Sequence, residues 1–137
     1  MHNGDLVVSA QPEQIPLTWY YLRPNLRYAN TIGPVTDPTY FNWIDALNRL
    51  QDANPQATLA PLLASLKPGQ QILYVRPLTE GAQNWKAPWT RLVRRRAAQW
   101  GALLAGDKNL RVVAVAPHNY RGACCVADSA VLYQKVS

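Results

Sequence analysis

The side chains best suited to chemistry fall into two groups. The first is polar: Gln11, Glu13 and Gln14 in the run SAQPEQ, and Glu80 in the run TEGAQNW. Each run follows a hydrophobic stretch that reads as a strand, and ligands of open α/β sheets bind beyond the carboxyl ends of strands. Amide and carboxylate groups in such a place can hydrogen-bond the hydroxyls of a sugar. The alternative for Glu13 is a first-turn carboxylate that only complements a helix dipole. SAQPEQ has no GxGxxG pattern, which disfavours a dinucleotide, and no cofactor is expected.

The second group is basic. KAPWTRLVRRRAAQW, residues 86–100, carries five of the fourteen basic residues: Lys86, Arg91, Arg94, Arg95 and Arg96. With Trp85 just before it, the segment also holds three tryptophans. Residues 1–75 have a net charge of −1 and residues 76–111 one of +6, so the whole excess sits around this segment. That asymmetry calls for an anionic partner: phospholipid, a phosphorylated substrate or nucleic acid. Nucleic acid ranks last of these, because no helix-turn-helix, aromatic RNA-binding strand or zinc finger accompanies the arginines. Trp85, on a loop, is the one tryptophan of the segment free to serve as a platform; Trp89 and Trp100 fall on a core-facing stripe. The plain alternative is a solvated helix face.

Other reactive groups contribute little. His118 has no Gly-x-Ser-x-Gly elbow to serve and reads as a structural loop residue. Cys124 and Cys125 are adjacent, so they cannot staple distant parts of the chain, and a bond between them closes a strained ring. No metal-binding spacing of Cys and His is present, and no catalytic residue is assigned.

These groups need a scaffold, and the hydrophobic pattern supplies one. With 48% apolar and 16% charged residues, the 137-residue chain has the composition of one globular domain, taken here as residues 4–137. Strands are expected at 4–10, 26–32, 70–78, 109–117 and 129–136. A helix is expected after Pro12-Glu13, another from a cap at Asp37 with Pro38 at its first position, and a third over 57–66. In the second of these, Trp43, Ile44, Leu47 and Leu50 make an apolar face, and Asp45 and Arg49 an i,i+4 ion pair. Residues 89–105 are expected to form an amphipathic helix with Arg91, Arg94 and Arg95 outside and Trp89, Leu92, Val93, Ala97, Trp100, Leu103 and Leu104 inside. Arg96 falls on the apolar stripe and must reach an edge or find a buried partner. Alternating strands and helices predict an α/β three-layer sandwich with a mostly parallel sheet of about five strands. The run 109–117 reads as a doubly covered parallel strand and the last strand as an antiparallel edge. No signal peptide or membrane span is expected, and Met1-His2 before Gly4-Asp5 reads as an added start to a domain cut from a longer protein.

Several phrases together carry a likeness. GDLVVSAQPEQIPLTWYYL, LRYANTIGPVTDPTYFNWIDALNRL, LKPGQQILYVRPL and APWTRLVRRRAAQW resemble the C-terminal soluble region of multi-spanning actinobacterial membrane glycosyltransferases of the C type. Those enzymes are similar to the mannosyl- and arabinofuranosyltransferases that build mycobacterial envelope glycans. The resemblance implies an extracytoplasmic domain at the cell membrane, with catalysis and polyprenyl-phosphate-sugar donors belonging to the membrane-embedded part of the chain. The domain itself would bind acceptor glycan, pack on that membrane part, or do both, with Trp85, Lys86, Arg91, Arg94 and Arg95 facing anionic lipid. The competing readings are a freestanding anion- or nucleic-acid-binding α/β module, and a small enzyme using Glu13 or Glu80.

Overall fold

The computed structural model describes residues 1–22, 24–78, 86–116 and 128–137. Its strands are β1 (Leu6–Ser9), β2 (Arg27–Asn30), β3 (Gly33–Val35), β4 (Gln71–Pro77), β5 (Leu110–Val115) and β6 (Asp128–Lys135). The helices are α1 (Ile15–Tyr21), entered through a 3-10 turn at Pro12–Gln14, then α2 (Ala46–Asp52), α3 (Pro55–Ala64) and α4 (Pro88–Gly106). They build an α/β domain on one six-stranded mixed sheet of order β3-β2-β1-β4-β6-β5.

Alternation along β1 explains the layering. Leu6 and Val8 face a core shared with Ile72, Tyr74, Leu59, Leu62, Trp100 and Leu104, so α3 and α4 lie on that side. Val7 points the other way, into a cluster with Ile15, Leu26 and Tyr28 that Trp19 and Leu22 of the α1 region help to cover. All four β1 residues are buried because both faces are covered there. Trp100, wholly buried, is the largest side chain of the core. The Tyr74 hydroxyl reaches it from the sheet and donates to the Ala97 carbonyl at 2.6 Å, fixing α4 on β4. Asp5, also buried, heads β1 and accepts from the Gln71 amide at 2.8 Å and the His2 amide at 2.5 Å, which ties β1 to the start of β4.

The sheet differs from the expected one in three ways. It has six strands, because the Gly33-Pro34 step read as a strand end continues as β3, antiparallel to β2. Gly33 supplies the φ of 150° that the turn uses, and Pro34 is tolerated on an edge strand that needs no further amide partner. The sheet is not mostly parallel: only β1–β2 and β1–β4 are parallel, against three antiparallel pairs. Finally, β6 is antiparallel as expected but interior, inserted between β4 and β5. The strand expected to be doubly covered, β5, is instead the edge strand on that side of the sheet, with Val112, Val113 and Val115 exposed. An apolar run reports affinity for a sheet, not a place within it.

The helix expected from Asp37 begins at Ala46 instead. Asp37 spends its carboxylate on a local turn, accepting from the Thr39 amide at 3.0 Å and the Thr39 hydroxyl at 2.5 Å. Aromatic and β-branched residues follow, which lower helix propensity, and Asp45 takes a left-handed φ of 53° that blocks extension of α2 backwards. The expected Asp45–Arg49 ion pair is absent. Asp45 accepts from Asn48, while Arg49 donates to the Ile44 and Asn42 carbonyls and lies over the Phe41 ring at 5.9 Å. Among the described residues no helix is long and apolar enough to cross a membrane.

Candidate functional site

Strand order reverses between β1 and β4. The chain leaves β1 through α1 to β2 on one side, then returns through α2 and α3 to β4 on the other. Gln11 and Glu13 lie just beyond β1 at this switch point, with Pro77 at the end of β4 and Trp89 and Thr90 at the start of α4. Glu13 Oε1 accepts from Trp89 Nε1 at 2.9 Å and from Gln11 Nε2 at 3.0 Å. Its second oxygen and Gln11 Oε1 are buried without a hydrogen-bond partner. Asp128, the first residue of β6, is close enough to sense this charge. Its carboxyl is pushed up to about 6, first by partial removal from water and second by the Glu13 carboxylate. Space among the described residues here is about 10 Å³, that of one water. The arrangement holds one carboxylate in a polar crevice with a second, Asp128, within reach of its charge, and the space left among the described residues is too small for a sugar.

The basic surface is built on α4. Lys86, Arg91, Arg94 and Arg95 are all exposed, and among the described residues none of them forms a salt bridge; the one found there is His2–Asp5. Arg94 leans toward the crevice, which it helps to line. Arg96 lies partly buried on the side of α2, donating to the Gln51 carbonyl at 2.9 Å, the Leu50 carbonyl at 3.4 Å and Gln99 Oε1 at 2.8 Å. It therefore satisfies carbonyls at the carboxyl end of α2, where a cation also complements the helix dipole.

Beside this surface stands an apolar projection. Leu50, Leu92 and Val93 bury the α2–α4 contact, with Trp89 packed on its rim. The Trp89 ring meets Trp43 at 5.2 Å and Phe41 at 5.9 Å, and Phe41 meets Trp43 edge-on at 4.9 Å. The outer side of this cluster is open. Trp43 is 58% exposed, Ile44 78% and Leu47 38%. A groove of about 300 Å³ lies on the other side of the cluster, between the 40–42 segment and the carboxyl ends of β1 and β2.

The expected site residues are thus divided. Gln11 and Glu13 meet in the crevice, while Gln14, closing the 3-10 turn through its amide to the Gln11 carbonyl, does not line it. Arg91, Arg94 and Arg95 share the exposed side of α4, and Lys86 is exposed two residues before its start. Glu80 and Trp85, like His118, Cys124 and Cys125, lie outside the described residues. Sequence reasoning missed Asp128, the exposure of Trp43, Ile44 and Leu47, and the groove. The helical spacing of residues 43–50 pointed to a core face; the signal against it was the Asn42–Asp45 stretch of turn-forming residues and aromatics. No family model matches the chain, and neither a curated protein nor a solved structure matches it.

Proposed function

We propose that this chain is an accessory domain that seats on an anionic membrane surface, in the C-terminal extracytoplasmic region of a polyprenyl-phosphate-sugar-dependent membrane glycosyltransferase of cell-envelope synthesis. The sequence phrases quoted above support the parentage. In that reading the donor and the catalytic groups belong to the membrane-embedded part of the same chain, and this domain positions or restrains it.

One observation carries the seating: Trp43, Ile44 and Leu47 are exposed, Trp43 meets Trp89 in the first turn of α4, and the same helix carries the exposed Arg91, Arg94 and Arg95, which form no salt bridge among the described residues. Trp and aliphatic side chains enter the interfacial zone of a bilayer, and basic groups around them gain about 1 kcal/mol each near an anionic surface. The Trp43–Trp89 contact ties the apolar tip to the helix that carries the arginines.

Co-sedimentation with vesicles tests it. Binding is expected to phosphatidylcholine vesicles containing phosphatidylglycerol, to fall as salt rises, and to be absent from phosphatidylcholine alone. Arg91→Glu with Arg95→Glu should weaken binding by at least about tenfold, and Trp43→Ser with Ile44→Asn by a similar factor. Equal binding by the charge variant, or none by the parent protein, sinks the proposal. Steeply salt-dependent binding of oligonucleotides in place of vesicles would favour a freestanding nucleic-acid-binding module.

A further inference from the structure

A second groove lies at the start of β2. β3 pairs with Tyr28, Ala29 and Asn30 but not with Arg27, and beyond its end a groove of about 620 Å³ opens at the sheet edge. Trp19 of α1, Pro24, Val35, and Pro61 and Leu62 of α3 give it apolar walls. Arg27 is the one charged group among the described residues that line it. Its guanidinium is held in place. Nε donates to the Gly4 carbonyl at 3.0 Å and Nη1 to Ser65 Oγ at 2.9 Å, while the Ser65 hydroxyl donates to the Leu62 carbonyl at 2.7 Å. Nη2 is buried and has no hydrogen-bond partner, and no carboxylate among the described residues pairs with Arg27. A cation partly withdrawn from water with no counter-charge is costly, and an orphaned donor of this kind calls for a partner from outside the chain.

We infer that this groove binds a monoanionic amphiphile, a carboxylate carried on an apolar chain, as in a medium-chain fatty acid. The Arg27–Ser65 bond lies at the exposed rim, and Nη1 has a second hydrogen that Ser65 does not take. A carboxylate meeting Nη1 there makes a charge-assisted hydrogen bond and supplies the counter-charge that the buried side of the guanidinium lacks. The chain then lies along Trp19, Val35, Pro61 and Leu62, whose apolar surface favours an amphiphile over a bare anion. One guanidinium, with two of its nitrogens already engaged, matches one negative charge. A phosphate monoester, with nearly two, would keep part of its charge uncompensated. At about 620 Å³ the groove has the size of a small-molecule site. No residue of α4 lines it, so the inference does not rest on membrane seating.

The test is a titration of the isotopically labelled 137-residue chain with sodium octanoate, below its micelle concentration, followed by amide NMR. Acetate, 1-octanol and octyl phosphate are run beside it. Saturable shifts are expected at Trp19, Arg27, Val35 and Ser65 with octanoate, and binding of acetate and 1-octanol at least about tenfold weaker. Ser65→Asp supplies a carboxylate to Arg27 from within the chain and should lower octanoate affinity by at least about tenfold. Ser65→Asn should stay within about threefold of the parent protein. Arg27→Met should abolish the preference for octanoate over 1-octanol. Ser65 is exposed, so its variants keep the result readable if Arg27→Met does not fold. No octanoate shift in the groove, equal binding of acetate or 1-octanol, tighter binding of octyl phosphate, or full affinity in Ser65→Asp overturns the inference. Because vesicles play no part, failure here is distinguishable from failure of membrane seating.

Discussion

Asp128 and Glu13 show how little a residue's identity says about its electrostatics. Asp128 opens a strand and would pass for a surface carboxylate, yet partial burial and the Glu13 charge raise it to about 6. A carboxyl whose folded value lies above its unfolded value stabilises the protein when protonated. That contribution is complete below about pH 4 and is lost as pH rises through about 6. Asp128→Asn should therefore remove a fall in stability between these values, leaving the variant the more stable protein at neutral pH. The gain should be about 0.5 kcal/mol, since the side chain is only partly withdrawn from water and solvent screens much of the effect. Chemical denaturation at a series of pH values measures it, and an identical pH profile for both proteins contradicts the assignment. Carboxyl NMR should also find Asp128 titrating lower in Glu13→Gln.

At the scale of elements, α4 combines a role in packing with a face that packing does not need. Arg96 serves packing, because it caps the carboxyl end of α2. Arg96→Met keeps most of the apolar stem but strips two carbonyls of their donor, so it should cost about 1–2 kcal/mol in denaturant unfolding. A loss under a few tenths would mean that water replaces the guanidinium without penalty. Arg91 is the opposite case, since it sits in the first turn of the helix, where positive charge opposes the dipole. Arg91→Glu places a negative charge there and an i,i+4 partner for Arg95. It should raise stability by about 0.5–1 kcal/mol while weakening vesicle binding. Stability and binding moving in opposite directions would mark the arginine as kept for function; a destabilised Arg91→Glu would return it to the scaffold.

For the whole molecule, coverage of the sheet is uneven. Among the described residues the α1 side of the sheet is covered around β1 and β2, and β5 stands at an edge with Val112, Val113 and Val115 exposed. An apolar edge strand with unpaired backbone groups is a template for another chain, and the register shift between Val112 and Ala114 is its one built-in irregularity. Concentration-dependent self-association is expected in analytical ultracentrifugation. Val113→Lys should weaken it by about tenfold without lowering the unfolding midpoint noticeably. A protein that stays monomeric at every concentration would show that the bulge alone suffices as protection.

The sequence by itself determined the alternation of strands and helices, the amphipathic α4 with its outward arginines, and the place of Gln11 and Glu13 just beyond a strand end. Each follows from local periodicity, from turn chemistry, or from the short reach between neighbours in the chain. Only the tertiary structure decided which strand is the edge, that residues 36–45 form a platform and not a helix, and that Arg96 caps α2. It also decided that Asp128 comes within reach of the Glu13 charge and that Asn30, Asp37 and Arg49 share a groove. Those outcomes depend on strand order and on contacts between residues far apart in the chain. A valine run or a lone arginine has the same local preferences in either arrangement, so long-range packing chooses between them.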